Sequence, residues 1–481
     1  MRFSKSNFCM SAPLMAAALT GCASVSPDWG RSDVAALASE RGRELPSAGS
    51  ARSFIADALE APLSVEQAVQ LALINNPNLS AATAELGFAA AEVYDAGRLA
   101  NPVLSATRLS PGGGNGPDAQ LTLGIAYNFA SLLFLPVNKR FAEAQFEAAR
   151  LSVASQAMEL AAEVEAAWFE ALAARQLEQM RLVAAEAQRA SSDLAGRFFE
   201  AGNINRRELA LEKAAASESE LALLEAKAEA FSARSRLNRL MGLAAQENTW
   251  TFAASLPEPL AEELTLDELL RLSVESRLDV LSLRRRAQAI ADRYGIVRRT
   301  RLINEIEIGV ERERDFDGTL NSGPTLALEL PIFNWGGGRK AAIQAELQKA
   351  EAFLDEKVLE ASNQIQLAFE RVHTYREMAN EFRTALIPNR EAVVARSQEE
   401  QNFMLIGVFE LIQAKQQEYA AYAGYIEAVR EYWVARSALA LAVGRALPAG
   451  PSSESDGASL ESQAVSPDAG GHLNHSLHGA H

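Results

Sequence analysis

The chain is written twice, which restricts it to folds built from two equivalent halves. Leu63-Ser64-Val65-Glu66-Gln67-Ala68-Val69-Gln70-Leu71-Ala72 resembles Leu264-Thr265-Leu266-Asp267-Glu268-Leu269-Leu270-Arg271-Leu272-Ser273, 201 residues further on. Both segments open with Ser64 or Thr265 ahead of an acid, the pattern of a capped helix start. The order of elements then repeats: a short helix, a second helix to about Gly97 or Tyr294, two strand-like segments around a turn, a very long helix, a break and another long helix. The halves span 63–241 and 264–444, joined by a proline-containing linker at 242–263.

From Asn138 to Arg197 there is no proline, and no glycine before Gly196. A helix of that length runs about 90 Å, far beyond what a globular core uses. Val164, Trp168 and Leu172 recur four apart, with Met158 and Ala161 on the same side, which predicts a coiled-coil seam. A return helix is expected over Asn205–Met241. The second half gives Arg339 to about Gln401, a break near Gly407, and Val408–Val443. Tyr419, Tyr422 and Tyr425 sit three apart and read as packing residues.

Strands are expected near 103–109, 120–130, 303–312 and 324–333, as hairpins within 103–130 and 303–333. Leu121, Leu123, Ile125, Tyr127 and Phe129 alternate with small or polar residues, and so do Leu326, Leu328, Leu330 and Ile332. Opposite them, Glu305, Glu307 and Glu329 fall on the polar face. The turns are expected at 111–116 and from Asp315 to Gly323. Strands of this length suit a tilted bilayer crossing or a buried soluble hairpin. In a bilayer four strands cannot close a barrel and open edges are forbidden, so several chains would have to contribute.

The ends of the chain carry different signals. Arg2 and Lys5 precede an apolar stretch, Met10–Thr20, that ends in Leu19-Thr20-Gly21-Cys22. This predicts a lipoprotein signal peptide over 1–21 and lipidation of Cys22. Cys9 lies in the discarded leader, so the mature chain would hold no internal disulfide. Residues 22–62 have little periodicity and read as an extended, lipid-anchored segment. Residues 445–481 are rich in Ser, Gly, Pro and Ala and read as a disordered tail. A net charge of -16 argues against a nucleic-acid partner.

Two breaks make the pattern specific. Gly202-Asn203-Ile204-Asn205-Arg206-Arg207-Glu208-Leu209 closely resembles the glycine-x5-acidic-leucine turn of the TolC-like outer-membrane factor family, and Arg197-Phe198-Phe199-Glu200 precedes it in the family manner. In the second half Met404 takes the glycine position ahead of Glu410-Leu411. The duplicated order of elements extends the resemblance over nearly all of Pro62–Gly444. The Met404–Leu411 stretch is most similar to the heavy-metal branch, typified by the outer components of cobalt-zinc-cadmium and copper-silver exporters.

The resemblance implies a mainly α protein with a membrane β-barrel: a homotrimer with four strands per chain in one shared twelve-stranded barrel, and a helical coiled-coil tunnel crossing the periplasm. It implies an outer-membrane location and three kinds of partner: a periplasmic adaptor (membrane fusion protein), an inner-membrane RND-type pump and outer-membrane lipid. The function implied is a passive exit duct of a tripartite efflux system. Heavy-metal cations lead as cargo, with multidrug efflux and type I secretion as alternatives. Gly202, Asn203, Ile204, Asn205, Asn402 and Gly407 would form the adaptor-contact tip. Glu410, with Gln413, Met404, Ile406 and Phe409, would form the periplasmic gate, unless Glu410 is simply a solvated helix residue. Glu305, Glu307 and Glu329 would line the barrel.

No enzyme is read from the chain, and no cofactor. His373 stands alone on a helix, and Gly336-Gly337-Gly338-Arg339 lacks the Lys-Ser/Thr pair of a phosphate loop. His472, His475, His478 and His481 are spaced three apart and could collect metal ions or merely decorate a solvated tail. A periplasmic adaptor or structural coiled-coil lipoprotein is the rival class. Adaptors pair one hairpin with β-rich modules, whereas this chain has two hairpins and little strand elsewhere.

Overall fold

The computed structural model describes residues 28–44, 51–110, 119–244, 250–252, 255–300 and 306–448. Cys22 with its leader, Glu305, most of the first hairpin turn and the four tail histidines lie outside the described residues. Before the first half come α1 (Arg31–Ser39) and α2 (Ala51–Glu60). The N-terminal segment is therefore partly helical rather than extended. Val34, Ala38 and Ala58 supply the buried positions that hold these short helices down.

The first half runs α3 (Val65–Asn75), α4 (Pro77–Ala96), β1 (Val103–Leu109), β2 (Gln120–Asn128), α5 (Phe129–Glu200) and α6 (Arg206–Leu240). The second runs α7 (Leu266–Ser276), α8 (Leu278–Thr300), β3 (Ile306–Arg314), β4 (Leu320–Leu328), α9 (Gly337–Glu381), a π turn (Phe382–Leu386), α10 (Ile387–Asn402) and α11 (Val408–Val443). Both halves open with a capping box: Ser64 with Gln67, and Thr265 with Glu268.

Helix α5 has 72 residues, about 110 Å at 1.5 Å each. It begins earlier than Asn138 because the Asn128 side chain accepts from Ser131 N–H at 3.2 Å, which caps the helix there and ends the strand at Asn128. Pro136 is carried inside it, near its start. Met158, Ala161, Val164, Trp168 and Leu172 are all buried, as their spacing predicts. Trp168 packs edge-on against Phe169 at 5.2 Å and Phe252 at 5.7 Å, and Phe169 stacks on Trp433 at 4.9 Å. This aromatic cluster joins the halves, each such pair adding about 0.5–1.5 kcal/mol beyond its buried area.

The duplication reaches fine detail. Left-handed Gly242 (φ 71) and Gly444 (φ 84) end the two return helices. A Cβ on Gly242 would meet Asn75 O at 2.4 Å, and one on Gly444 would meet Arg277 Cα at 2.9 Å. Beside them Asn76 Nδ2 donates to Leu240 O at 2.9 Å, and Arg277 Nη1 donates to Ala442 O at 3.0 Å. The halves differ where the helix expected from Arg339 to Gln401 is interrupted by the π turn. There the Phe382 ring lies on Gly424, whose Cβ would sit 2.6 Å from Phe382 Cζ. Tyr422 and Tyr425 are buried in the packing of α11, and the Tyr422 hydroxyl donates to Glu391.

The strands form one antiparallel sheet in the order β1-β2-β3-β4, with β1 and β4 as open edges. Strand β4 lies closer to the turn than expected. Asp315 N–H donates to Thr319 O at 2.9 Å and left-handed Gly318 closes the bend, so Leu320, Asn321, Ser322 and Gly323 are strand residues. Pro324 lies opposite Val310, on the outermost strand of the single chain. Leu330 and Ile332 follow the strand, exposed beside Phe333 and Trp335.

Candidate functional site

The residues singled out by sequence fall in two regions: the sheet at one end of the long helices and the pair of turns at the other.

Register sorts the sheet into two faces. Leu104, Leu123, Ile125, Ile308, Val310, Leu326 and Leu328 share one face, and all are exposed. A soluble hairpin packs such a face inward; here the polar face is the more covered one along β2. Glu307, Glu311 and Glu313 stand on that polar face, with Glu307 opposite Asn128 and Glu313 accepting from Gln120. Glu329 lies one residue past β4. The polar face is kept narrow by small residues. A Cβ on Gly124 would meet Ser105 Oγ at 2.6 Å, and one on Gly309 would meet Thr325 Oγ1 at 2.7 Å.

The turn after α5 is built on Gly202, at φ 76. Gly202 N–H donates to Phe199 O at 3.0 Å and Asn203 N–H to Phe198 O at 2.8 Å, which satisfies the last carbonyls of the helix. Asn205 and Glu208 then form a capping box at 3.0 and 3.1 Å. The turn after α10 repeats the geometry. Met404 sits at φ 58, its N–H donates to Gln401 O at 2.9 Å, and Leu405 N–H donates to Glu400 O at 2.9 Å.

One difference between the turns bears on Glu410. Its counterpart Glu208 is held by the backbone of Asn205. Glu410 also lies three residues past an N-cap, but that cap is Gly407, which has no side chain to complete a box. The Glu410 side chain is exposed, as is that of Gln413, one turn on. Phe409 turns inward and meets Phe198 of the first half edge-on at 6.0 Å. Ile406 is half-buried, while Met404 is 92 % exposed between exposed Phe403 and Leu405. The structure thus brings Phe409 against the first half and leaves Met404, Glu410 and Gln413 facing out. At the other turn Asn203 and Asn205 are exposed and Ile204 is half-buried; Asn402 and Gly407 are exposed.

Sequence reasoning missed a buried polar tie above the tips. Gln188, 2 % exposed, donates to Glu212 at 3.3 Å and accepts from Gln416. Ser191 donates to Glu212 at 2.7 Å. The group links α5, α6 and α11. Its members are far apart in the chain, and only the Gln188–Ser191 spacing could have hinted at a shared face.

Among the described residues, no three His, Cys, Asp or Glu side chains converge to hold a metal, and no helix is long and apolar enough to cross a membrane.

No protein-family model matches the chain, and no curated protein sequence does. Solved structures do. The chain is similar to CusC, known for structures bearing on folding and transmembrane channel formation, at 15% identity over 79% of this chain and 92% of that one, with a TM-score of 0.65. The outer-membrane channel OprN is similar at 20% identity over 86% and 96%, TM-score 0.66. The Campylobacter jejuni outer membrane channel CmeC is similar at 18% identity over 79% and 85%, TM-score 0.66. With its duplicated helical hairpins and four-stranded sheet, this chain has the TolC-like outer-membrane factor fold.

Proposed function

We propose that the chain is the outer-membrane channel of a tripartite efflux system. The observation that carries this is the sheet: its apolar face is exposed, both its edges are open, and from its inner end leave the helix α5, about 110 Å long, and the jointed run of α9 and α10. Lipid satisfies the apolar face, and other copies satisfy the edges. Because the strand directions alternate, β4 of one copy meets β1 of the next antiparallel, and three copies close a twelve-stranded barrel around the polar face. The exposed apolar residues Leu221, Leu224 and Phe231 on α6, and Phe353, Leu359 and Leu367 on α9, then pack between copies along the tunnel.

In this reading lipidated Cys22 is a second anchor in the outer membrane. The turns at Gly202–Asn205 and Asn402–Gly407 meet the adaptor, and an RND-type pump supplies the energy. Three copies of Glu410 form an acidic ring near the tip, while Glu307, Glu311 and Glu313 line the barrel; both favour cations. That acidity, with the Met404–Leu411 resemblance, favours heavy-metal cations as cargo. The deciding experiment deletes the gene and measures tolerance to zinc, cobalt, cadmium, copper and silver beside a drug panel. Metal hypersensitivity is expected; drug hypersensitivity with normal metal tolerance would assign the channel to a drug exporter.

A further inference from the structure

Helix α8 packs against two long helices, α5 and α9. Its counterpart α4, 201 residues earlier, packs along α5 and, among the described residues, makes no comparable contact with a second long helix. One stripe of α8 meets α5. Ser282 Oγ donates to Ala148 O at 2.8 Å, and the Arg293 guanidinium lies 4.6 Å from the centre of the Phe141 ring. The two helices run antiparallel, so Ala289, seven residues past Ser282, falls opposite Phe141, seven before Ala148; Ala289 is buried there. On α4 the counterparts of Ser282, Ala289 and Arg293 are Ala81, Phe88 and Glu92, and all three are exposed, Phe88 at 75 %. The other side of α4 is occupied: Leu79 and Leu86 are buried, as are their counterparts Val280 and Ala287. On α9 the counterparts of Phe141 and Ala148 are Ala342 and Lys349, both exposed. The same offset aligns buried Ala142 with Ile343 and Ala167 with Ala368, so the two long helices correspond residue by residue here.

We propose that α4 of one copy packs on α9 of a second copy in the register that α8 takes on α5, with Phe88 seated over Ala342 and Ala81 beside Lys349. The inference rests on the barrel reading and names the helix faces that join the copies. The duplication supplies the geometry: whatever fills the groove beside α8 within a chain has its equivalent beside α4 only in another chain. Side-chain size is exchanged across this contact. Within the chain the long helix carries the large residue, Phe141, and the short one the small residue, Ala289; between copies the short helix carries Phe88 and the long one Ala342. Ala81 likewise leaves room for exposed Phe353, one turn past Lys349 on α9. Exposed Glu85, one turn past Ala81, comes within reach of Lys349, so the two faces also match in charge. The faces differ from each other, so the contact is head-to-tail, and each copy keeps one of them uncovered until a ring closes.

The test starts from the purified full-length protein, assayed for trimer mass by light scattering and for conductance in planar bilayers. Ala81→Cys/Lys349→Cys is then oxidised, denatured and run on a non-reducing gel. Bonds between copies are expected to carry most of the chain to the mass of a linked trimer, while each single-cysteine variant stays at monomer mass. The off-register pair Ala81→Cys/Ala342→Cys, displaced about 10 Å along α9, should link about tenfold less, because a disulfide needs closer backbones. Equal linking by the two pairs, or none from a trimer that conducts, overturns the proposed register. Absence of a trimer or of conductance refutes the barrel reading itself. Ala342→Phe should crowd Phe88 and lower the trimer fraction in detergent, and Phe88→Ala/Ala342→Phe should restore it. No loss in the single variant, or no recovery in the double one, overturns the pairing of Phe88 with Ala342 independently of the cysteines.

Discussion

Gly202 and Met404 occupy one backbone position in the two halves: each is left-handed, at φ 76 and φ 58, and each is followed by a residue whose N–H reaches back to close the helix, onto Phe198 O and Glu400 O. A glycine adopts this conformation freely, whereas a methionine pays about 1–2 kcal/mol in sterics. Met404 recovers little of that by packing, since it is 92 % exposed.

Met404→Gly is therefore expected to stabilise the second turn by about 1 kcal/mol, and Gly202→Ala to destabilise the first by a similar amount. No atom lies within 4 Å of an added Cβ at Gly202, so the loss there is conformational. Hydrogen exchange at the Leu405 and Asn203 amides measures both. Faster exchange at Leu405 in Met404→Gly would show that the side chain does hold the turn.

Glu410→Gln should lower cation selectivity and weaken block by divalent ions in single-channel recordings. Glu208→Gln is the matched control. Its amide still accepts from Asn205 N–H, so the turn should hold and selectivity should not move. Equal effects of the two changes would remove Glu410 from the conduction path.

The two faces of the sheet should respond oppositely to charge. Val310 pairs with Ile125 and Pro324 near the middle of the apolar face. Val310→Arg should cost about 2–4 kcal/mol of folding into lipid vesicles, whereas Thr122→Arg on the polar face should mainly alter conductance. Comparable folding losses for the two would contradict the assignment of faces.

Asp279 supplies a pH dependence. Burial pushes its carboxyl upward, but the hydrogen bonds and charge of Arg277, the Val280 N–H and Lys357 outweigh burial and hold it below the ordinary aspartate value of 3.8. Its contribution is complete above that value and is lost as pH falls through the depressed folded value. Acid unfolding followed by circular dichroism should show a drop in stability below about pH 4 that Asp279→Asn flattens. Superimposable curves would mean that another carboxylate governs acid stability.

Much of the helical body was legible because its rules are local and periodic. Val164, Trp168 and Leu172 announce the seam, and Gly202 and Gly407 announce the breaks. The strand faces were legible from alternation. The register of β4 was not, because Asn321, Ser322 and Gly323 resemble turn residues in sequence and only the bend at Gly318 shows that they are paired. Glu410 stood out by spacing, but its release from capping depends on Gly407 having no side chain. The Gln188–Gln416 bond joins distant segments and leaves no local trace.

The π turn accounts for the one difference in length between the two long arms. Above it, buried positions correspond at one offset: Val164 with Ile365, and Ala171 with Val372, each 201 residues apart. Below it, buried Ala185 corresponds to Ile387 and Gly202 to Met404, each 202 apart. The second half has gained one residue between Val372 and Ile387, and the wider helical turn at Phe382–Leu386 absorbs it. A residue added to an α-helix turns everything beyond it by about 100°; spread through a π turn seated on Gly424, the insertion left the burial phase beyond it intact. One added residue thus separates an unbroken arm in the first half from an arm with a π joint in the second.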